Sequence, residues 1–364
     1  MGPFNHYMVV LARESRGLTQ DELAERLSIG QGTLSKYETG INAPSPDFAS
    51  LLGASLGYPS AFFYQEGRPY GFPPFHYRKR KKLSAKALGR IVAEMNIRRM
   101  HIKQLTISFG LKTNRFIPEI NRDEFQGKSR RHATIEDVAR SVREFWMLPG
   151  GPVANLMGII EENGGIVVPC DFQTDLIDAM SQRIDGMPVL FFVNLNSPAD
   201  RVRHTLAHEL GHMVLHTTDL KDDDEMEDEA DEFAGAFLLP ADEVRPQLRR
   251  FDLRHLANMK GYWKVSMAAI AVRAQRLGLI TPYQSKMFWI EMGKLGYRKR
   301  EPNEPQREVP SLLRQMVEFH RKKLGYSPAD LAKVLCATSA DIEAMYGKAA
   351  LDPEPTRPQL RLVE

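Results

Sequence analysis

Apolar positions recur at helical spacing through most of the chain. Met8, Leu11 and Ala12 fall on one helix face, and Gly17-Leu18 interrupts the pattern. Thr19-Gln-Asp-Glu22 then reads as an N-cap with a carboxylate three residues on. Leu23, Ala24 and Leu27 continue as a short amphipathic helix. After a turn at Ser28-Ile-Gly30 a second short helix runs from Gln31 to Glu38 and is closed by Gly40. Pro44-Ser-Pro46 opens another, which ends near Gly57-Tyr-Pro59, so residues 5–63 form an all-α bundle. Residues 64–82, holding Pro69, Gly71, Pro73, Pro74 and the run Arg78-Lys-Arg-Lys-Lys82, read as a linker, and Ser84 to Ile107 as a long basic helix.

Farther on, helices are predicted at Ile135 to Phe145 and around Leu156 to Asn163, the latter ended by Gly164-Gly165. Ile166 to Val168 and the β-rich run Pro188 to Asn194 are the two predicted strands. The best-marked helix follows: Ser197 is its expected cap, Pro198 its first residue, and Asp200 lies three residues after the cap. Val202, Leu206, Leu210 and Met213 give it one apolar stripe, and it extends to about His216. A helix over Met226 to Leu239 stops at Pro240, and the rest is helical, with segments at Met267 to Leu277, Pro282 to Leu295, Ser311 to Leu324 and Ala329 to Leu335. The fold class is therefore mainly α with a small β-sheet, an α+β arrangement.

Composition narrows the setting. With 364 residues, 43% of them apolar, the chain can bury the cores of two or three domains. No run approaches the eighteen apolar residues of a membrane span and no signal peptide is visible, which points to the cytoplasm and away from membranes. Two distant cysteines, Cys170 and Cys336, exclude a disulfide framework or a cysteine zinc ribbon, so any metal falls to histidine and carboxylate. The net charge of +3 conceals segregation: residues 1–60 carry four Lys/Arg against six Asp/Glu, residues 76–131 carry sixteen against four, and nine of the eleven residues from Asp222 to Glu232 are acidic.

The candidate chemistry sits on the well-marked helix. His208-Glu-Leu-Gly-His212 sets two imidazoles one turn apart on one face, with a carboxylate beside the first where it can deprotonate a water. His204, His208, His212 and His216 recur every four residues and make three possible pairs, but positions 205 and 213 are Thr and Met, so only His208/His212 has Glu209 as base. His204 and His216 are left as supporting or surface residues. Zinc needs a third protein ligand and an open fourth position. Glu227 is the choice, because Asp231 lies one turn further and can orient a ligating imidazole, while Glu229 is the runner-up.

These residues, with Arg203-His-Thr-Leu-Ala207 before them and Glu227-x-x-Ala-Asp231-x-Phe-Ala234 and Leu238-Leu-Pro240 after them, resemble the ImmA/IrrE family of metallopeptidases. The resemblance implies a gluzincin-like zinc peptidase fold, with His208, His212 and Glu227 as ligands and Glu209 as general base. It also implies action on, or relief of repression by, helix-turn-helix repressors in stress or mobile-element responses. The family pattern often has Asn where this chain has Asp231, and either side chain can accept a hydrogen bond.

Thr19 to Leu27, Ser28 to Gly30 and Gln31 to Gly40 resemble the XRE, or lambda-repressor-like, helix-turn-helix family. That resemblance implies double-stranded DNA as partner, with Gln31, Gly32, Thr33, Ser35 and Lys36 facing bases or phosphates and Gln20 a phosphate. The acidic balance of residues 1–60 counts against strong phosphate attraction. The basic run and the basic helix after it can supply the charge, and a homodimer would double the footprint. The expected domains are 1–63 for the DNA-binding head, 64–82 for the basic linker, 83–264 for the peptidase and 265–364 for a C-terminal helical region.

Two functions compete: a regulator that cleaves or controls a repressor-like protein partner, and a non-proteolytic regulator or antitoxin-type partner that uses the peptidase fold as a sensor or dimerisation module. Glu209 favours the first. His255 and Tyr262 are the only candidates for stabilising an oxyanion, and neither motif nor spacing supports them.

Overall fold

A computed structural model describes residues 2–71, 83–111, 115–122, 133–216 and 222–346. Among them sixteen α-helices and three strands appear in the order α1 (His6–Ser15), α2 (Gln20–Arg26), α3 (Gln31–Glu38), α4 (Pro46–Leu56), α5 (Ala85–Phe109), α6 (Ile135–Phe145), α7 (Leu156–Glu162), β1 (Gly165–Pro169), β2 (Ala179–Gln182) and β3 (Val189–Val193). There follow α8 (Ala199–Leu215), α9 (Asp223–Leu238), α10 (Ala241–Val244), α11 (Leu253–Trp263), α12 (Met267–Arg276), α13 (Pro282–Lys294), α14 (Leu312–Lys322), α15 (Pro328–Val334) and α16 (Ser339–Tyr346). The α+β class with a small sheet is as the periodicity implies. No helix among the described residues is long and apolar enough to cross a membrane.

The chain forms two compact units, and they do not follow the order of the sequence. Of the described residues, 2–71, 83–111 and 312–346 make the first; 115–122, 133–216 and 222–311 make the second. Helix α5, expected to begin the peptidase domain, instead packs with α1 and α14, and residues 265–311, expected in a separate C-terminal region, belong to the second unit. The cause is amphipathic: Ile91, Ala93, Ile97, Ile102 and Leu105 bury one face of α5, and Ala93 and Ile97 share a core with Met8, Leu11, Leu23 and Phe63. Part of the expected linker is also fixed, since the Tyr70 backbone exchanges hydrogen bonds with the Asn96 amide at 2.8 and 3.0 Å. The run Arg78 to Lys82 lies outside the described residues.

In the second unit β3 is central, parallel to β1 and antiparallel to β2, with Ser181 opposite Phe191. All five residues of β3 are buried, as a strand covered on both faces requires. The four stripe residues of α8 are at most 3% exposed and join Phe233, Ala234 and Phe237 of α9 in one core. Burying those four contributes roughly 6–12 kcal/mol as an upper bound, at about 1.5–3 kcal/mol each.

Ser197 does not cap α8. Its hydroxyl turns to Asp178 at 3.2 Å, Asp200 accepts from buried Lys260, and the first amide of the helix, Ala199 N–H, donates to Glu304 at 3.1 Å. Glu304 belongs to a set. Glu301 accepts from Met267 and Ala268 N–H at the start of α12 (2.7 and 3.0 Å), and Glu308 accepts from Met157 N–H at the start of α7 (2.9 Å). One segment thus carries negative charge to three helix N-termini, where the orphaned amides and the dipole favour it.

Candidate metal centre and DNA-reading face

Helices α8 and α9 can approach closely because Gly211 lies between the two histidines of the motif. A Cβ there would stand 3.2 Å from Ala230 Cα, Ala230 O and Phe233 Cβ. The contact brings the α9 carboxylates against the histidine face of α8. His208 Nε2 and His212 Nε2 are 3.1 Å apart, and the Glu227 carboxylate oxygens lie 3.6 Å from the first and 3.7 Å from the second. Donor atoms on a tetrahedral zinc, each bound at about 2.0–2.1 Å, stand about 3.3 Å from one another. The three side chains therefore fit a metal ion, and among the described residues they are the group that does so.

The far side of each imidazole is also occupied. His208 Nδ1 lies 2.8 Å from Asp231 Oδ1, the orienting contact expected from one-turn spacing. Burial works to lower the His208 pKa, but the Asp231 hydrogen bond and the charges of Glu209, Asp231 and Glu227 outweigh it and raise the value. Burial pushes the Asp231 carboxyl up, and the His208 hydrogen bond with the charges of His208, His204 and Arg276 more than reverses this. Such a field suits a cation. His212 Nδ1 lies 3.0 Å from His216 Nδ1, and His216 Nε2 lies 2.9 Å from Glu229 Oε2. Glu229, the runner-up ligand, is thus turned to His216 and to Arg122 and stands outside the cluster.

Glu209 is 1% exposed, and its Oε2 accepts a hydrogen bond from Ser181 Oγ at 2.7 Å. Sequence reasoning missed Ser181, since the four-residue strand that carries it, Ala-Met-Ser-Gln, has no alternation to mark it. His204 lines a cavity of about 410 Å³ with Asp231, Arg201, Lys260 and Arg276 and is not in the cluster. Neither oxyanion candidate joins the cluster: His255 Nε2 is engaged with the Gln247 carbonyl at 2.8 Å, and the Tyr262 hydroxyl lies against Gly151.

In the first unit the capping box at Thr19 forms, with Glu22 N–H to Thr19 Oγ1 at 3.2 Å and Thr19 N–H to Glu22 Oε2 at 2.6 Å. Gln31, Gly32, Thr33 and Lys36 are exposed on α3, whereas Ser35 and Gln20 are half-buried. Gln31 Nε2 donates to Gln20 Oε1 and Gln20 Nε2 to Glu38 Oε2, both at 2.6 Å. Glu38 is itself held by buried Arg13 at 2.6 and 3.0 Å, so the start of α3 is tied to α1 and α2 by a polar chain. The arrangement removes Arg13 from phosphate contact, and Arg16 pairs with Asp341. Arg98 and Arg99 of α5 are likewise buried, so of the expected basic helix face these two do not meet solvent. Desolvation pushes the Arg99 pKa down to about 10.

Residues 161–275 match the family model of the IrrE N-terminal-like domain, and residues 11–63 match that of a helix-turn-helix domain. The first span runs from α7 to α12 and contains the metal cluster; the second contains α2 and α3 with the whole Gln20–Gln31–Glu38 chain. No curated protein matches the chain.

Proposed function

We propose that this chain, an XRE-type helix-turn-helix joined to an ImmA/IrrE-type domain, is a cytoplasmic transcription regulator that holds zinc at His208, His212 and Glu227 and cuts a protein partner with Glu209 as general base. The convergence of the two Nε2 atoms and the Glu227 carboxylate beside a fixed Glu209 is the observation that carries this reading. Zinc bound there would polarise a substrate carbonyl and make a water at the site acidic enough to attack near neutral pH. Glu209 takes that water's proton at its carboxylate and passes it to the leaving nitrogen. The Ser181 hydroxyl holds Oε2, so the carboxylate keeps its aim without a rotamer search. The substrate class is a repressor-like helix-turn-helix protein in a stress or mobile-element response, and the operator is met by a homodimer through Gln31, Gly32, Thr33, Ser35 and Lys36, with Gln20 at a phosphate.

Metal analysis joined to a cleavage assay on candidate repressors tests the proposal. The purified full chain should carry one zinc, lose it in His208→Ala and Glu227→Ala, and keep it while losing cleavage in Glu209→Gln. Unchanged zinc in both ligand variants would remove the metal centre. Stoichiometric zinc with operator binding but no Glu209-dependent cleavage would replace the peptidase with the sensor, dimerisation or antitoxin-type reading.

A further inference from the structure

The histidine series on α8 continues one turn past the proposed ligand, and His216 is 3% exposed with both ring nitrogens engaged. We infer that buried His216 and Glu229, with the half-buried Arg122, form a relay that positions His212 as a metal ligand, an inference that rests on the metal centre proposed above.

Proton placement along the relay allows one assignment. A ligating imidazole presents a lone pair to the metal, so His212, whose Nε2 faces His208 Nε2 and Glu227, carries its proton on Nδ1. That N–H donates to His216 Nδ1, 3.0 Å away, which is then an acceptor. The His216 proton consequently sits on Nε2 and donates to Glu229 Oε2 at 2.9 Å. The other Glu229 oxygen accepts from the Arg122 guanidinium, in a place where the carboxylate is only 7% exposed. Each imidazole N–H of the relay meets an acceptor, and the Glu229 carboxylate lies beyond His216 from the ligating nitrogens.

The consequence is chemical as well as steric. Donation from Nδ1 toward a basic partner fixes the tautomer and ring plane of a metal-bound imidazole and raises the basicity of the ligating nitrogen. His208 receives this from Asp231 directly, at a half-exposed carboxylate. For His212 the same service comes through an interposed imidazole, with the charge buried and clamped. The segment bearing Arg122 is itself held to the end of α8, since Ile120 N–H donates to the Val214 carbonyl at 2.8 Å. The C-cap of helix α8, helix α9 and the run 115–122 thus each contribute one member of the relay.

The test is zinc affinity of the full chain by chelator competition, with the cobalt-substituted absorption spectrum as a second readout. His216→Ala should weaken zinc about 10- to 100-fold, the range found when partners of ligating histidines are removed, and should shift the cobalt bands because the ring of His212 is released. Glu229→Gln, which keeps the shape and an acceptor but not the charge, should fall between wild type and His216→Ala; His204→Gln should match wild type. Wild-type affinity and spectrum in both His216→Ala and Glu229→Gln overturn the relay. If His216→Ala does not fold, the isosteric Glu229→Gln decides alone, and wild-type behaviour in it overturns the relay. Absence of zinc from the wild-type protein overturns the metal centre itself, a result separate from any difference between variants.

Discussion

Replacing Gly211 with Ala tests whether the spacing of α8 and α9 sets the metal centre. The added Cβ would lie 3.2 Å from each of three atoms, two of them backbone atoms of Ala230, which no rotamer change can move. Carbon contacts relax at about 3.5–4.0 Å, so α9 must retreat by about 0.3–0.8 Å or the helix must bend. Overpacking of this kind costs about 1–3 kcal/mol, while removing a helical glycine returns about 1 kcal/mol, leaving a net loss of about 0–2 kcal/mol. Glu227 precedes Ala230 by one turn on the same helix, so the retreat also pulls its carboxylate away from the two Nε2 atoms. We expect zinc affinity to fall about tenfold, equivalent to about 1.4 kcal/mol. Gly261 in α11, with no atom within 4 Å of its notional Cβ, is the control: Gly261→Ala should stabilise by up to about 1 kcal/mol and leave zinc unchanged. Trp146, Trp263 and Trp289, the three tryptophans of the chain, all lie in the 115–311 unit, so urea melts followed by tryptophan fluorescence read that unit alone. Equal stabilisation by both substitutions, with unaltered zinc affinity, would refute the argument.

Three further outcomes follow from groups in the first unit, the two stability changes best read by circular dichroism or hydrogen exchange and the third by DNA binding. Glu38→Ala leaves Arg13 buried without its carboxylate and Gln20 without its acceptor, and should cost about 3–5 kcal/mol in a denaturant melt; a loss under about 1 kcal/mol would show that the pair is not held as described. His101 is buried, and desolvation, with the neighbouring Arg98 charge, pushes its pKa from 6.5 to about 4 against Asp341 and a backbone hydrogen bond with Leu335. The folded form therefore binds fewer protons than the unfolded one, so stability is full above about pH 6.5 and falls by roughly 3 kcal/mol as the pH drops toward 4; His101→Leu should flatten that window, and an unflattened profile contradicts the assignment. Gln31→Ala and Lys36→Ala should separate on DNA: the first relaxes operator preference, the second weakens all sequences alike and lowers the salt dependence, and identical behaviour counts against α3 as the reading helix.

What could be read from the sequence was what neighbours in the chain decide. The Thr19–Glu22 box, the α8 stripe and the single base-bearing histidine pair depend on residues within one or two turns, and each is found with the geometry its spacing implies. Ser197 shows the limit. Its sequence context is that of a helix cap, yet the amide at the start of α8 goes to Glu304, 105 residues away, because a carboxylate offers that terminus more than a hydroxyl does. Strand β2 was invisible for a similar reason: Ala-Met-Ser-Gln becomes a strand by pairing with β3, which no local propensity records. Helix α5 was legible only as a long basic helix, and nothing local said that Ile91, Ala93, Ile97, Ile102 and Leu105 would bury a face or that its partners would be α1 and α14.

The candidate site divides along the same line. Glu227 and Asp231 could be paired by their one-turn spacing, and the Asp231 contact with His208 Nδ1 follows from it. Glu229 could not be placed, because its position depends on Arg122, far earlier in the chain, and on which nitrogen of His216 is left over. Yet part of that signal was present in the fourfold histidine series. A histidine one turn beyond a ligand faces the same way as the ligand, and because Met213 rather than a carboxylate follows His212, the His212/His216 pair has no base beside it. Its remaining use is to accept the hydrogen bond of the ligand's Nδ1–H, and its own Nε2–H then needs an acceptor, which Glu229 on the facing helix supplies. The acidic run of α9 is therefore not one solvated block: Glu227, Glu229 and Asp231 each meet a different histidine nitrogen, and Arg276 takes Asp228 at 2.6 Å.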